Sequence, residues 1–174
     1  MRAFVALELP AGFSREVSEL SRQLAATCSG RFVPEGNHHL TLAFLGELCE
    51  AEVRAAMAAL DEVCTNAGPV CLAVDGLGTF GGGANRTLWL GIRLTDELGS
   101  LAERLRRAFT DRGLSFDEKP FLPHVTLARR VRLPRGELGE LVFPTPDEAR
   151  CVTLFRSILS SEGASYKPLY SVEL

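Results

Sequence analysis

No stretch of the 174-residue sequence approaches the eighteen or so apolar positions that a membrane-spanning helix needs. The opening MRAFVALELP also lacks the long apolar core and small-residue cleavage site of a secretory leader, so a cytoplasmic protein with no membrane partner is expected. Cysteine is scarce and unpatterned. Cys28, Cys49, Cys64, Cys71 and Cys151 are odd in number and never spaced as C-x-x-C, which argues against a disulfide framework or a zinc cluster and for buried free thiols. Neither sign of charge dominates: 19 Lys and Arg against 22 Asp and Glu leave a net charge of -3, which excludes a broad basic face for long duplex nucleic acid. A small phosphorylated ligand or a nucleic-acid end is compatible with that balance. What is present, 46% hydrophobic and 24% charged residues, suffices for one packed core, and residues 1–174 are expected to form a single domain.

The chain is written twice. An apolar stretch at Phe4 to Leu9 precedes a segment from Ala11 to Cys28 with Phe13, Val17, Leu20 and Leu24 on one helical face. Eighty-five residues on, Leu88 to Leu94 precedes a segment with Leu98, Ala102, Leu105 and Phe109 on one face. The same offset carries His39 onto His124, Thr41 onto Thr126, Leu42 onto Leu127 and Ala43 onto Ala128. A further helix is expected from Glu50 to Asn66, with strands at Val70 to Val74, Cys151 to Leu159 and Leu169 to Val172. Gly78 to Asn85 and Leu133 to Pro146 read as loops. The expected class is α+β: two pseudo-symmetric lobes, each a small, mostly antiparallel sheet with helices on its outer face, and a cleft between them.

Side chains alternate faces along a strand. Leu40, Leu42 and Phe44 therefore belong to the core and His39, Thr41 and Ala43 to the opposite face; in the second copy Val125 and Leu127 point inward, and His124, Thr126 and Ala128 outward. Two of the three histidines thus sit in a His-x-Thr, and a pseudo-twofold would aim both at one volume. His38 alternates onto the Leu40 face and reads as structural.

The stretches Val33-Pro34-Glu35-Gly36-Asn37-His38-His39-Leu40-Thr41-Leu42-Ala43-Phe44-Leu45-Gly46 and Phe121-Leu122-Pro123-His124-Val125-Thr126-Leu127-Ala128-Arg129 resemble the paired signatures of the 2H phosphoesterase superfamily. The branch they most resemble is the RNA 2',3'-cyclic phosphodiesterases, also called 2'-5' RNA ligase-like proteins. Arg2 to Leu7, Thr87 to Gly91 and Ser157 to Tyr166 extend the resemblance over nearly the whole chain. One departure is the loop after Phe80, where the family commonly places proline and this chain has Gly81, Gly82 and Gly83.

Opening a cyclic phosphodiester calls for a base on one side of phosphorus and an acid in line on the other, and imidazole, with a pKa near 6.5, can be either. The Thr41 and Thr126 hydroxyls can donate to the non-bridging oxygens as charge develops. The resemblance implies that His124 is the proton acceptor, acting on water, and His39 the proton donor to the 3' oxygen, leaving a 2'-phosphate. It favours Arg129 as the cation beside the phosphate, whereas strict alternation favours Arg130. Expected partners are RNA 3' ends, small cyclic nucleotides and oligonucleotides, bound by a monomer with no cofactor and no metal. Three rivals use the same residues: a 2'-5' RNA ligase or 2'-5' oligonucleotide phosphodiesterase, a nucleotide-binding module without turnover, and a metallohydrolase. The last would need a Cys or carboxylate ligand at short spacing, which neither motif offers.

Overall fold

Alternating apolar positions with a period of two build the strands, and runs with a period near 3.6 build the helices. In the computed structural model, which describes residues 1–161 and 163–174, the order is β1 (Arg2–Glu8), α1 (Ala11–Ala25), β2 (Ser29–Phe32), β3 (His39–Glu47), α2 (Glu50–Cys64), β4 (Val70–Leu72) and β5 (Val74–Phe80). It continues with β6 (Thr87–Ile92), α3 (Asp96–Asp111), β7 (His124–Arg132), β8 (Asp147–Ala149), β9 (Cys151–Ser160) and β10 (Gly163–Glu173). The fold is α+β, and every strand pairing is antiparallel.

The helices carry the expected faces. Phe13, Val17, Leu20 and Leu24 of α1, and Leu98, Ala102, Leu105 and Phe109 of α3, are all buried. Thr95 caps α3, its hydroxyl accepting from the Leu98 amide at 3.3 Å, and Asp96 and Glu97 complement the helix dipole. Glu52 reaches back to the Cys49 amide at 2.7 Å to close the start of α2. These helices share one core with Ala3, Val5 and Leu7 of β1, Leu40 and Leu42 of β3, Leu88 and Leu90 of β6, and Val125 and Leu127 of β7.

The strands run β10-β9-β1-β3-β7-β6-β5, with β2 also on β7; β4 and β8 pair separately. The expected pair of small sheets is one continuous eight-stranded sheet, whose two halves join at a single residue pair, Leu40 with Val125. Beyond it β3 and β7 part, and β2 takes the vacated edge of β7 from Phe32 opposite Ala128 to Ser29 opposite Arg132. That divergence opens the cleft. The offset of 85 holds between β3 and β7, but not between β1 and β6. Glu8 faces His39 while Gly91 faces His124, so their ladder offset is 91 - 8 = 83, a slip of two residues that keeps the faces in phase.

Several boundaries differ from the sequence expectation. β5 continues through Gly78 to Phe80, and β10 starts at Gly163 rather than near Leu169, because its polar residues leave no apolar period to read. β2 and β8 are short and nearly devoid of apolar residues. All five cysteines are free, with Cys28 and Cys64 buried, but Cys49 and Cys71 are exposed.

Candidate active site

His39 opens β3 and His124 opens β7. Extending the Leu40/Val125 register by one residue each way sets His39 opposite Thr126 and Thr41 opposite His124. The two histidines are then diagonal neighbours, ~7–8 Å apart between Cα atoms in a regular antiparallel pair. Each His-Thr motif stands beside the other on the face away from the helices.

The imidazoles are fixed in the same way. Nδ1 of His39 donates to the Asn37 carbonyl at 2.8 Å, and Nδ1 of His124 donates to the Leu122 carbonyl at 2.7 Å, each acceptor two residues upstream. A carbonyl can only accept, so the neutral form of each ring is the Nδ1–H tautomer, with the lone pair on Nε2. Aromatic side chains hold the rings. His39 lies 4.8 Å from Phe4 and edge-on to Tyr166 at 5.0 Å; His124 is edge-on to Phe80 at 5.0 Å and 5.8 Å from Trp89. Burial in this collar pushes His39 down to about 4; Arg129, His124 and His38 add to the fall, and the bond to Asn37 opposes it.

The strands are irregular where the site needs them to be. Between Ala6/Thr41 and Val5/Ala43 the β1–β3 ladder skips Leu42, and between Trp89/Thr126 and Leu88/Ala128 the β6–β7 ladder skips Leu127. Each bulge turns two consecutive residues inward. Ala43 and Ala128, expected on the cleft face, are therefore in the core, at 2% and 0% exposure. Phe44, expected in the core, lines the cleft instead. The same shift brings Arg129 to the cleft and leaves Arg130 exposed at φ 54°, outside the lining.

A cleft of about 480 Å3 gathers His39, Thr41, Phe44, Arg129, Arg31 and Tyr166. Arg31 was not singled out in the sequence. It sits directly across from Arg129 in the β2–β7 ladder, and among the described residues neither guanidinium has a carboxylate within 4.0 Å. Like charges directly opposite are unfavourable in an empty sheet, and an anion between them reverses the sign. The aromatic collar was equally hidden, since Phe4, Phe80 and Tyr166 lie far from the motifs and meet them only through strand pairing.

His38 turns away from this face. It is 8% exposed, both ring nitrogens lack a hydrogen-bond partner among the described residues, and burial pushes it down to about 4. It borders a separate cavity of about 190 Å3 beneath α1 that is lined by no residue of either His-x-Thr. Among the described residues, no three His, Cys, Asp or Glu side chains gather as metal ligands.

His39, Thr41, Arg31 and Arg129 line the cleft, whereas His124 and Thr126 are not among its lining and adjoin it only through the Leu40–Val125 pairing. Residues of these types suit a class of site that does acid-base chemistry on an anionic ester. Comparison with known proteins narrows the class. The 2'-5' RNA ligase superfamily matches residues 9–150, and the chain belongs to that family. An RNA 2',3'-cyclic phosphodiesterase of Thermotoga maritima is 32% identical, with 99% of this chain and 95% of the relative covered. One from Archaeoglobus fulgidus is 30% identical over 97% and 98%. Among solved structures, a Thermus thermophilus protein superposes with a TM-score of 0.85 at 27% identity, covering 100% of this chain and 98% of its own. Escherichia coli LigT in complex with 3'-AMP gives 0.77 at 27% identity, covering 99% and 96%.

Proposed function

We propose that this protein hydrolyses the terminal 2',3'-cyclic phosphate of an RNA to a 2'-phosphomonoester, with His124 and His39 as a metal-independent base and acid. The observation that supports the reading is the pairing of Leu40 with Val125 between β3 and β7, a register whose extension by one residue each way would set the two histidines diagonally on one face. The phosphodiesterase names of the Thermotoga and Archaeoglobus relatives and the 3'-AMP complex of LigT support the substrate class.

Water attacks phosphorus in line with the bond to O3'. Nε2 of His124 takes the water proton as the P–O bond forms; the P–O3' bond breaks, and Nε2–H of His39 protonates the departing oxygen. The products are a 2'-phosphate and a free 3'-hydroxyl. Thr41 and Thr126 donate to the non-bridging oxygens, and Arg129 with Arg31 offsets their charge. Attack by an RNA 5'-hydroxyl in place of water would form a 2'-5' bond through the same atoms.

His39 at about 4 is neutral at pH 7, whereas an acid must carry its proton. The phosphate anion resolves this by favouring the imidazolium beside it, each unit of upward shift corresponding to about 1.4 kcal/mol of interaction. In this reading the protein works as a cytoplasmic monomer, with residues 1–174 as one domain of two lobes.

The test is hydrolysis of a nucleoside 2',3'-cyclic phosphate in the presence of EDTA, followed by 31P NMR. The expected product is the 2'-phosphate, formed at an undiminished rate. A 3'-phosphate product, or activity lost to chelator and restored by a divalent ion, contradicts the reading.

A further inference from the structure

Tyr166 meets His39 edge-on with ring centroids 5.0 Å apart, although the strand order keeps their backbones far from one another. His39 lies opposite Glu8 at one end of β1, whereas Tyr166 lies opposite Ser157, one residue past the Ala3–Arg156 pair at the other end. In a flat sheet the run from Arg2 to Glu8 alone would separate those levels by ~20 Å, and β1 and β9 stand between β3 and β10. The β9–β10 hairpin therefore folds back over the cleft face, which carries Gly163, Ala164 and Tyr166 into the lining beside His39.

One bond spans this fold-back. The Asn37 side-chain amide donates to the Ala164 carbonyl at 3.0 Å, across 127 residues of sequence. The carbonyl of the same Asn37 accepts from Nδ1 of His39 at 2.8 Å. Asn37 is thus attached on one side to the imidazole and on the other to the strand whose Tyr166 packs against that imidazole. Its backbone is held independently. Glu35–Asn37 form a single helical turn, in which the Asn37 amide donates to the Pro34 carbonyl at 2.9 Å and the His38 amide to the Glu35 carbonyl at 3.3 Å. Removing the side chain therefore leaves in place the carbonyl that orients His39. The second histidine has no equivalent tie, because the carbonyl that holds His124 belongs to Leu122, whose side chain cannot hydrogen-bond.

We propose that Asn37 is a positioning residue for the acid step: by tying the folded-back hairpin to the entrance of β3, it keeps the His39 ring collared with Nε2 directed at the leaving oxygen. The inference rests on the cyclic-phosphodiesterase reading and adds to it a residue that acts through His39. An imidazole held at one nitrogen can still swing about that bond; the Tyr166 wall blocks the swing, and a misplacement of about 1 Å at a reacting group costs up to ~10²-fold. The same wall shields the ring from water and so contributes to the burial that pushes His39 down to about 4.

The experiment pairs kinetics with nitrogen NMR of the imidazoles, on the wild type and on Asn37→Ala. In the wild type His39 should be a single Nδ1–H tautomer that stays neutral until the pH approaches 4. In the variant its titration should move up towards 6.5 as the hairpin lifts and water reaches the ring; Arg129, His124 and His38, which also lower it, are untouched. Turnover of a nucleoside 2',3'-cyclic phosphate should fall about tenfold, part of the ~10²- to 10⁴-fold that a general acid supplies. A nitrophenyl phosphodiester, whose leaving oxygen hardly needs a proton, should stay within about twofold of the wild-type rate. A substitution that merely distorts or unfolds the protein would damage both substrates alike, so equal losses overturn the proposal. So does a wild-type His39 that is mostly the Nε2–H tautomer, a measurement that needs no variant to fold, or a variant whose titration and rates match the wild type. Turnover of neither substrate by the wild type would instead defeat the phosphodiesterase reading, and the tautomer and titration of His39 would still decide whether Asn37 clamps the ring.

Discussion

Arg129 and Arg130 are neighbours in the sequence, and nothing in their side chains separates them. The backbone does. Because Leu127 and Ala128 both turn into the core, Arg129 takes the cleft face that alternation assigns to Arg130. Arg130 itself is held at φ 54°, a conformation costly for a residue with a Cβ. The two substitutions are therefore expected to differ widely. Arg129→Ala should lower kcat/KM on a cyclic nucleotide by ~10²- to 10³-fold, the scale of losing one donor to a developing oxyanion. Arg130→Ala should stay within a few-fold of wild type. Steady-state kinetics of both variants decides between them, and equal losses would mean the bulge does not set which arginine meets the phosphate.

At the scale of elements, β5 and β6 position His124 from behind. Gly78 pairs with Trp89, and the indole crosses the glycine so closely that an added Cβ would sit 2.2 Å from the ring. Trp89 in turn flanks His124. Gly78→Ala should displace the indole, cost ~1–3 kcal/mol as overpacking does, and lower Tm by several degrees together with kcat. Thermal unfolding and kcat measured on the same preparation check it; an alanine variant with unchanged Tm and kcat would show that Trp89 does not brace the site.

This contact marks where the sequence stops being readable. The apolar periods of α1 and α3 and the repeated His-x-Thr are local patterns, and they disclosed the helices, the α+β class and the positions of His39 and His124. The bulges, the slip of two residues between β1 and β6, the Arg31 and Arg129 pairing and the aromatic collar depend on which strand lies beside which. No single segment encodes them. Alternation assigns Phe44 to the core for that reason: it is a rule for an unbroken ladder, and this ladder breaks at Leu42.

For the molecule as a whole, the buried histidines tie stability to pH. His38 and His39 are both pushed from 6.5 to about 4, so the folded state binds fewer protons than the unfolded chain between those values. The stability they contribute is fully present above pH 6.5 and is lost as pH falls towards 4. His38 has no hydrogen-bond partner to lose. The His38→Leu variant is accordingly expected to show a shallower fall in Tm between pH 6.5 and 4 than the wild type. Parallel curves would mean that His38 takes up its proton as readily in the folded protein as in the unfolded one.

The central claim is that two histidines, brought together by one strand crossing, split acid and base roles across a single phosphate. Its most direct test uses two leaving groups. On a 2',3'-cyclic nucleotide, where the departing 3' oxygen needs a proton, His39→Ala and His124→Ala should both abolish turnover. On a phosphodiester with a nitrophenolate leaving group, which hardly needs protonation, His39→Ala should recover a substantial part of the wild-type rate while His124→Ala remains inactive. Equal damage by both substitutions on the activated ester, or recovery by His124→Ala instead, would contradict the assignment.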